Sequence, residues 1–177
     1  MRFLAMVFAL SLAGLFAASC GGPLCDGAVC SCVDDACACS GGDTCTIDCP
    51  EEGCTTSCSA ADNCDLACGD DCTTSCSSGT TCKQACGDRC VTSCSSQSTC
   101  DFEVGASSQA SCSNASTCSF KLGDGSEASC SSAATCEATC SGSCIVSCSS
   151  VGACDVTCAG GAAATECSAG VFACGSC

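Results

Sequence analysis

The chain has 177 residues, enough for one domain of ordinary size, with 31 Cys, 19 acidic residues against four basic ones, and no His, Trp or Tyr. The lack of His excludes a Ser-His-Asp triad, a Cys-His pair and any His-ligated metal, and the net charge of −15 excludes binding by phosphate neutralisation, so no nucleic-acid partner is expected. From Cys20 onward only 16 of 158 residues are Phe, Leu, Val, Ile or Met, well under the roughly 20% at which a charged chain can still build a core.

The first segment, 1–19, reads as an export signal. Arg2 gives a positive start, Leu4 to Leu15 is an apolar run too short for a comfortable membrane span, and Ala17 and Ser19 are the small residues that cleavage before Cys20 needs. The segment Phe16-Ala17-Ala18-Ser19-Cys20-Gly21-Gly22 resembles the lipobox of bacterial lipoproteins, except that Ala17 stands where that family usually has Leu. The resemblance implies that Cys20 becomes the lipidated first residue of the mature chain and that the partner is a membrane, held through acyl chains at about 0.8 kcal/mol per buried CH₂. It also implies an outer-membrane or cell-surface position; plain secretion is the alternative. Export permits disulfides, and setting Cys20 aside leaves thirty cysteines, enough for fifteen bridges.

Residues 20–44 read as an anchor linker and a Cys-rich cap, with Cys25, Cys30, Cys32, Cys37 and Cys39 irregularly spaced. Over 45–158 the spacing becomes regular. Cys64, Cys82, Cys100, Cys118, Cys136 and Cys154 recur every 18 residues, and so do Cys58, Cys76, Cys94, Cys112, Cys130 and Cys148. The full unit is Cys-x3-Cys-x3-Cys-x3-Cys-x5. Cys at every fourth position suits one face of a helix or one face of a strand. Strands fit better. The middle of the unit is Gly-Asp (Gly69-Asp70, Gly87-Asp88, Gly123-Asp124), a turn signal and a poor helix interior. The first unit also places its extra residue there, in Pro50-Glu51-Glu52-Gly53, and the flanks alternate, as in Asp101-Phe102-Glu103-Val104.

Counting from the first Cys of each unit as position 0, positions 0, 2, 4, 8, 10 and 12 face inward, with Gly in the tight turn between the two strands. The expected fold is all-β: a narrow parallel β-solenoid of 18-residue coils about 4.8 Å apart, seven coils making a rod of roughly 30 Å, with a small Cys-rich cap at each end.

The repeat also carries evidence on pairing. The units at Cys100 and Cys118 lose both middle cysteines together, so the middle cysteines read as partners: Cys49–Cys54, Cys68–Cys72, Cys86–Cys90 and Cys140–Cys144. Where they are missing, Phe102 with Val104 and Phe120 with Leu122 refill the volume, as a close-packed interior requires. Position 0 faces position 12 across a flat coil, which predicts outer bridges Cys45–Cys58, Cys64–Cys76, Cys82–Cys94, Cys100–Cys112, Cys118–Cys130 and Cys136–Cys148. The cap cysteines stay unassigned, and three arrangements are open: Cys20 pairs in the first cap, a bridge crosses between coils, or a thiol is free. Cys25 to Cys39 number five, and so do Cys154, Cys158, Cys167, Cys174 and Cys177, an odd count at each end. Residues 159–177 form the second cap.

On the outside, Ser57, Ser75, Ser93, Ser111, Ser129 and Ser147 precede the fourth Cys of successive units, and Ser59, Ser77, Ser95, Ser113, Ser131 and Ser149 follow it. Stacked, they make two hydroxyl ladders, with Thr81, Thr99, Thr117 and Thr135 as a partial third. The pattern resembles the Thr-Cys-Thr ladders of cysteine-rich insect antifreeze proteins, which are disulfide-braced β-solenoids. That resemblance implies ice or another ordered surface as the ligand of the ladders, although Ser lacks the Thr methyl and the coil is 18 residues rather than 12. A thiol-based metal-binding protein is a further reading, set against Cys-x-Cys pairs confined to the first cap and an exported chain. The Gly-Asp turns supply one Asp each, two at Asp70-Asp71, too few oxygens for calcium. A thiolate nucleophile needs an activating neighbour, and Lys83, Arg89 and Lys121 are the only cations after the leader. The resulting expectation is a non-enzymatic envelope protein, structural or adhesive, with no cofactor and an unidentified surface partner.

Overall fold

In the computed structural model the residues described are 24–27 and 30–177. The segment 1–19, expected to be an export signal, and Cys20, the expected lipidation residue, lie outside them. In chain order the strands are β1 (Leu24–Gly27), β2 (Cys30–Val33), β3 (Ala36–Ser40), β4 (Thr44–Cys49), β5 (Thr55–Ser59), β6 (Asn63–Cys68), β7 (Thr73–Ser77), β8 (Thr81–Cys86), β9 (Val91–Ser95), β10 (Thr99–Val104), β11 (Gln109–Ser113), β12 (Thr117–Leu122), β13 (Ser126–Ser131), β14 (Thr135–Cys140), β15 (Cys144–Ser149), β16 (Ala153–Thr157), β17 (Thr165–Ser168) and β18 (Val171–Cys174). Among the described residues there is no α-helix, only a short 3-10 turn at Ala159–Gly161.

The strands form two sheets, one of order β1-β4-β6-β8-β10-β12-β14-β16 and one of order β17-β18-β15-β13-β11-β9-β7-β5-β3-β2. Strands two apart in the chain pair in parallel, and the register keeps the 18-residue period: Cys64 opposes Cys82, Cys82 opposes Cys100, and Phe102 opposes Phe120. The chain is therefore a parallel β-solenoid of seven coils, from β3–β4 to β15–β16. At each end the pairing turns antiparallel, through β1 on β4 and β2 on β3 at one end and β18 on β15 at the other. These caps place chain against backbone edges that would otherwise stay open to another copy.

The inward positions follow from strand alternation. Ile47, Leu66, Gln84, Phe102, Phe120, Ala138 and Val156 occupy position 2, and Thr56, Thr74, Thr92, Ala110, Ala128 and Val146 position 10; all are buried. A third inward column, at position 15 in the five-residue corner, holds Ala61, Gln97, Ala115 and Ala133, and the alternation of the strands does not predict it.

Two corners close each coil, and both use the left-handed region. Two residues after the corner glycine it falls on Asp71, Arg89, Ser107 and Gly125, and at the other corner on Ala60, Ser78, Ser96, Asn114, Ser132 and Ser150, all with φ between 53° and 71°. The expectation that Gly makes the tight turn is thus displaced by two residues. Gly105 is needed for close approach instead: a Cβ there would sit 2.7 Å from the Gly87 carbonyl carbon and run into the Asp88 carboxylate. Coils stack backbone on backbone at this corner, with the Gly105 N–H donating to the Gly87 carbonyl at 2.9 Å.

Candidate functional site

The interior is a stack of disulfides. Cys49–Cys54, Cys68–Cys72, Cys86–Cys90 and Cys140–Cys144 join across the inner corner. The outer bridges differ from the expected ones. Cys45–Cys58, Cys64–Cys76, Cys82–Cys94, Cys100–Cys112, Cys118–Cys130 and Cys136–Cys148 do not form. Instead the chain joins Cys39–Cys45, Cys58–Cys64, Cys76–Cys82, Cys94–Cys100, Cys112–Cys118, Cys130–Cys136 and Cys148–Cys154, with Cα atoms 6.0 to 6.4 Å apart.

The reason is the rise of the coil. Residues flanking one tight corner lie at nearly the same level, because the chain has climbed little between them. Position 12 and the next position 0 flank the outer corner, six residues apart. Position 12 and its own position 0 are separated by two strands and the rise accumulated along them. Inner and outer bridges thus obey one rule, each spanning the corner that directly follows its first cysteine.

The same rule accounts for the odd cysteine count of each cap. Cys39 pairs with Cys45 and Cys154 with Cys148, which removes one cysteine from each odd set. The rest close as Cys25–Cys30, Cys32–Cys37, Cys158–Cys174 and Cys167–Cys177. Fifteen bridges use all thirty cysteines from Cys25 to Cys177, so no described cysteine is left as a partner for Cys20. Of the arrangements that the odd cap counts leave open, the one formed is a bridge that crosses between units. So many bridges mark an oxidising environment, extracellular or periplasmic.

Two inner corners lack a bridge. Val104 faces Ser108 between β10 and β11, and Leu122 faces Ser126 between β12 and β13. Phe102 and Phe120 stack there with centroids 4.8 Å apart and planes 6° from parallel. The buried serines stand where the second cysteine would be and bind backbone. Ser108 Oγ accepts from the Cys90 N–H and Ser126 Oγ from the Ser108 N–H, each at 3.0 Å, while the Ser126 hydroxyl donates to the Gly105 carbonyl at 2.8 Å. One coil earlier the core residue is Gln84, whose amide is satisfied by Thr74 and by the Ser93 carbonyl at 2.7 Å.

The aspartates of the inner corner do more than carry charge. Asp70 Oδ1 accepts the Asp88 N–H at 2.9 Å, and Asp88 Oδ1 accepts the Ala106 N–H at 2.7 Å, so each carboxylate caps the next coil. Asp124 Oδ1 takes both the hydroxyl (2.8 Å) and the N–H (2.7 Å) of Ser143, and these bonds hold its carboxyl below the usual range, the hydroxyl contributing most. Asp71 is lowered chiefly by its hydrogen bond from Arg89, which reaches it from the next coil through two nitrogens, at 2.8 and 2.6 Å. Lys121 pairs with Glu103 at 3.0 Å, and Lys83 lies in register between Asp65 and Asp101. Arg89 and Lys121 thus tie neighbouring coils together, while Lys83 shares only their register. The pairs are exposed and contribute little to stability.

On the opposite sheet, Ser57, Ser75, Ser93, Ser111, Ser129 and Ser147 are in register from β5 to β15, and so are Ser59, Ser77, Ser95, Ser113, Ser131 and Ser149. Thr81, Thr99, Thr117 and Thr135 align on the other sheet. Three ladder hydroxyls lean back on the preceding coil: Ser59 donates to the Cys39 carbonyl (3.4 Å), Ser93 to Thr74 (3.5 Å) and Ser111 to Thr92 (3.4 Å). A shallow trough of about 200 Å³ runs along the rod beside Ser111, Ser129 and Ser147, with Val91, Gln109, Glu127 and Ile145 as its other wall. Val91 and Ile145 are 50% and 39% exposed.

No protein-family model, curated protein or solved structure matches the chain.

Proposed function

We propose that this protein is an exported rod of the bacterial cell envelope, anchored through lipid on Cys20, whose role is structural or adhesive rather than catalytic. One observation carries the reading: every cysteine from Cys25 to Cys177 is committed to a bridge, which leaves Cys20, in its lipobox-like setting, as the odd residue of the 31. Intact mass after expression with the leader in a bacterium tests it. The expected species starts at Cys20, carries acyl mass, partitions with membranes, and takes up alkylating reagent only after reduction. A soluble product cleaved at the same place without acyl mass would remove the anchor, and a product that keeps residues 1–19 would remove export.

The in-register Ser rows favour one second reading, an ice- or surface-binding face. Thermal hysteresis and faceted ice growth by the purified rod are its test, and their absence would discard it. Thiol-based metal binding needs free thiolates, whereas the ligands it would use are bonded to each other.

A further inference from the structure

Four places in the interior bring three sulfurs from two different bridges within 4.8 Å of one another: Cys25, Cys30 and Cys39; Cys54, Cys68 and Cys72; Cys136, Cys148 and Cys154; and Cys140, Cys144 and Cys174. Each joins bridges of unequal access. One always has a half-buried cysteine: Cys25–Cys30, Cys68–Cys72, Cys148–Cys154 or Cys158–Cys174. Its neighbour is buried at both ends: Cys39–Cys45, Cys49–Cys54, Cys130–Cys136 or Cys140–Cys144. An external dithiol cannot reach a sulfur buried at both ends of its bridge, but a thiolate released from the neighbouring bridge already lies beside it.

We propose that the four accessible bridges are relays through which external thiol–disulfide exchange reaches the four buried ones. The C-terminal relay shows the steps. A thiolate of a thioredoxin-class dithiol attacks Cys158 Sγ, the half-buried sulfur. The Cys158–Cys174 bond breaks, a mixed disulfide forms on Cys158, and Cys174 leaves as a thiolate. Cys174 then attacks Cys140 or Cys144, bonding to one and releasing the other as a thiolate. The second thiol of the reductant attacks the mixed disulfide, frees Cys158 as a thiol and departs as the oxidised disulfide. Two electrons have passed from the dithiol to the chain, and the new thiol pair is Cys158 with Cys140 or Cys144. The inward step needs no oxidant or reductant of its own, because exchange conserves the number of bridges.

The test uses the oxidised protein and a substoichiometric thioredoxin-class dithiol, with acid quench, alkylation and peptide mapping. The expected product is a Cys174 cross-link to Cys140 or Cys144 together with alkylated Cys158. In a Cys158→Ser, Cys174→Ser variant, thiols at Cys140 and Cys144 should appear at least tenfold more slowly, while those at Cys68 appear at the wild-type rate. Absence of the Cys174 cross-link in the wild-type protein would overturn the relay, whether or not the variant folds. So would unchanged labelling of Cys140 and Cys144 in a folded variant.

Discussion

Between β8 and β9 the inner corner is closed by Cys86–Cys90. One coil later, between β10 and β11, the same two positions hold Val104 and Ser108, and closure rests on Phe102 stacked on Phe120. The backbone path is the same at both, down to the left-handed residue, Arg89 in one and Ser107 in the other. A corner of this solenoid therefore does not need its disulfide for shape. It needs the space between the strands filled and the backbone groups satisfied, which sulfur does in one place and Phe, Val and Ser do in the other.

The outer corner has no such alternative, since all seven coils bridge there. By chain entropy a five- or six-residue loop is worth about 2 kcal/mol. Seven such bridges are worth about as much as the whole stability of an ordinary domain, 5–15 kcal/mol. Full reduction should consequently produce the largest effect: loss of the β-type circular dichroism and of protease resistance at room temperature. A reduced protein that kept both would show that the apolar corners alone sustain the fold.

Phe120→Ala comes next. It removes half of the aromatic stack where no inner bridge helps, at an expected cost of about 3–5 kcal/mol in denaturant titration. A cost under 1 kcal/mol would mean that the Phe pair merely occupies space.

Exchanging the two solutions sharpens the contrast. Cys86→Val with Cys90→Ser should cost about 2 kcal/mol and leave the fold intact. Val104→Cys with Ser108→Cys should form a new bridge, seen as two extra cysteines that resist alkylation until reduction. Failure of that pair to bond would show that the unbridged corner has a different geometry.

Smaller still is the acid response of the inner corner. The Asp124 carboxyl is depressed in the folded state by Ser143. Its contribution is therefore complete above the ordinary carboxylate pKa of about 3.9 and is lost as pH falls through the depressed folded value. Asp124→Asn should flatten the fall in stability below about pH 4 and change little at neutrality. An unchanged acid limb would sever the link to Ser143. The smallest effect is expected from Ser96→Gly, at φ 58°, with a gain of less than about 1 kcal/mol from relief of the left-handed backbone.

Much of this architecture is legible in the residues. The 18-residue period fixed the register, the alternation fixed the inward columns, and the joint loss of two cysteines at the Cys100 and Cys118 units identified the inner partners. The outer partners differ from the expected ones because positions 0 and 12 belong to one unit of the sequence but flank different corners of the coil. Only the rise of the chain distinguishes a bridge within a unit from one across the next corner, and spacing alone does not carry that rise. The odd cysteine count in each cap is compatible with bridges across that corner, but equally with a pair to Cys20 or a free thiol. The left-handed residues were hidden for another reason: Asp71, Arg89 and Ser96 sit where sequence reasoning looks for Gly. The Ser rows were legible as rows, and the face they form has no partner among the described residues to identify its role.

The most direct test is the bridge pattern itself, from partial reduction, cyanylation and cleavage followed by mass spectrometry of the oxidised protein. The expected result links Cys76 to Cys82, Cys94 to Cys100 and Cys112 to Cys118, each across the outer corner. Recovery of Cys64–Cys76 or Cys82–Cys94 would contradict the corner rule and the coil geometry built on it.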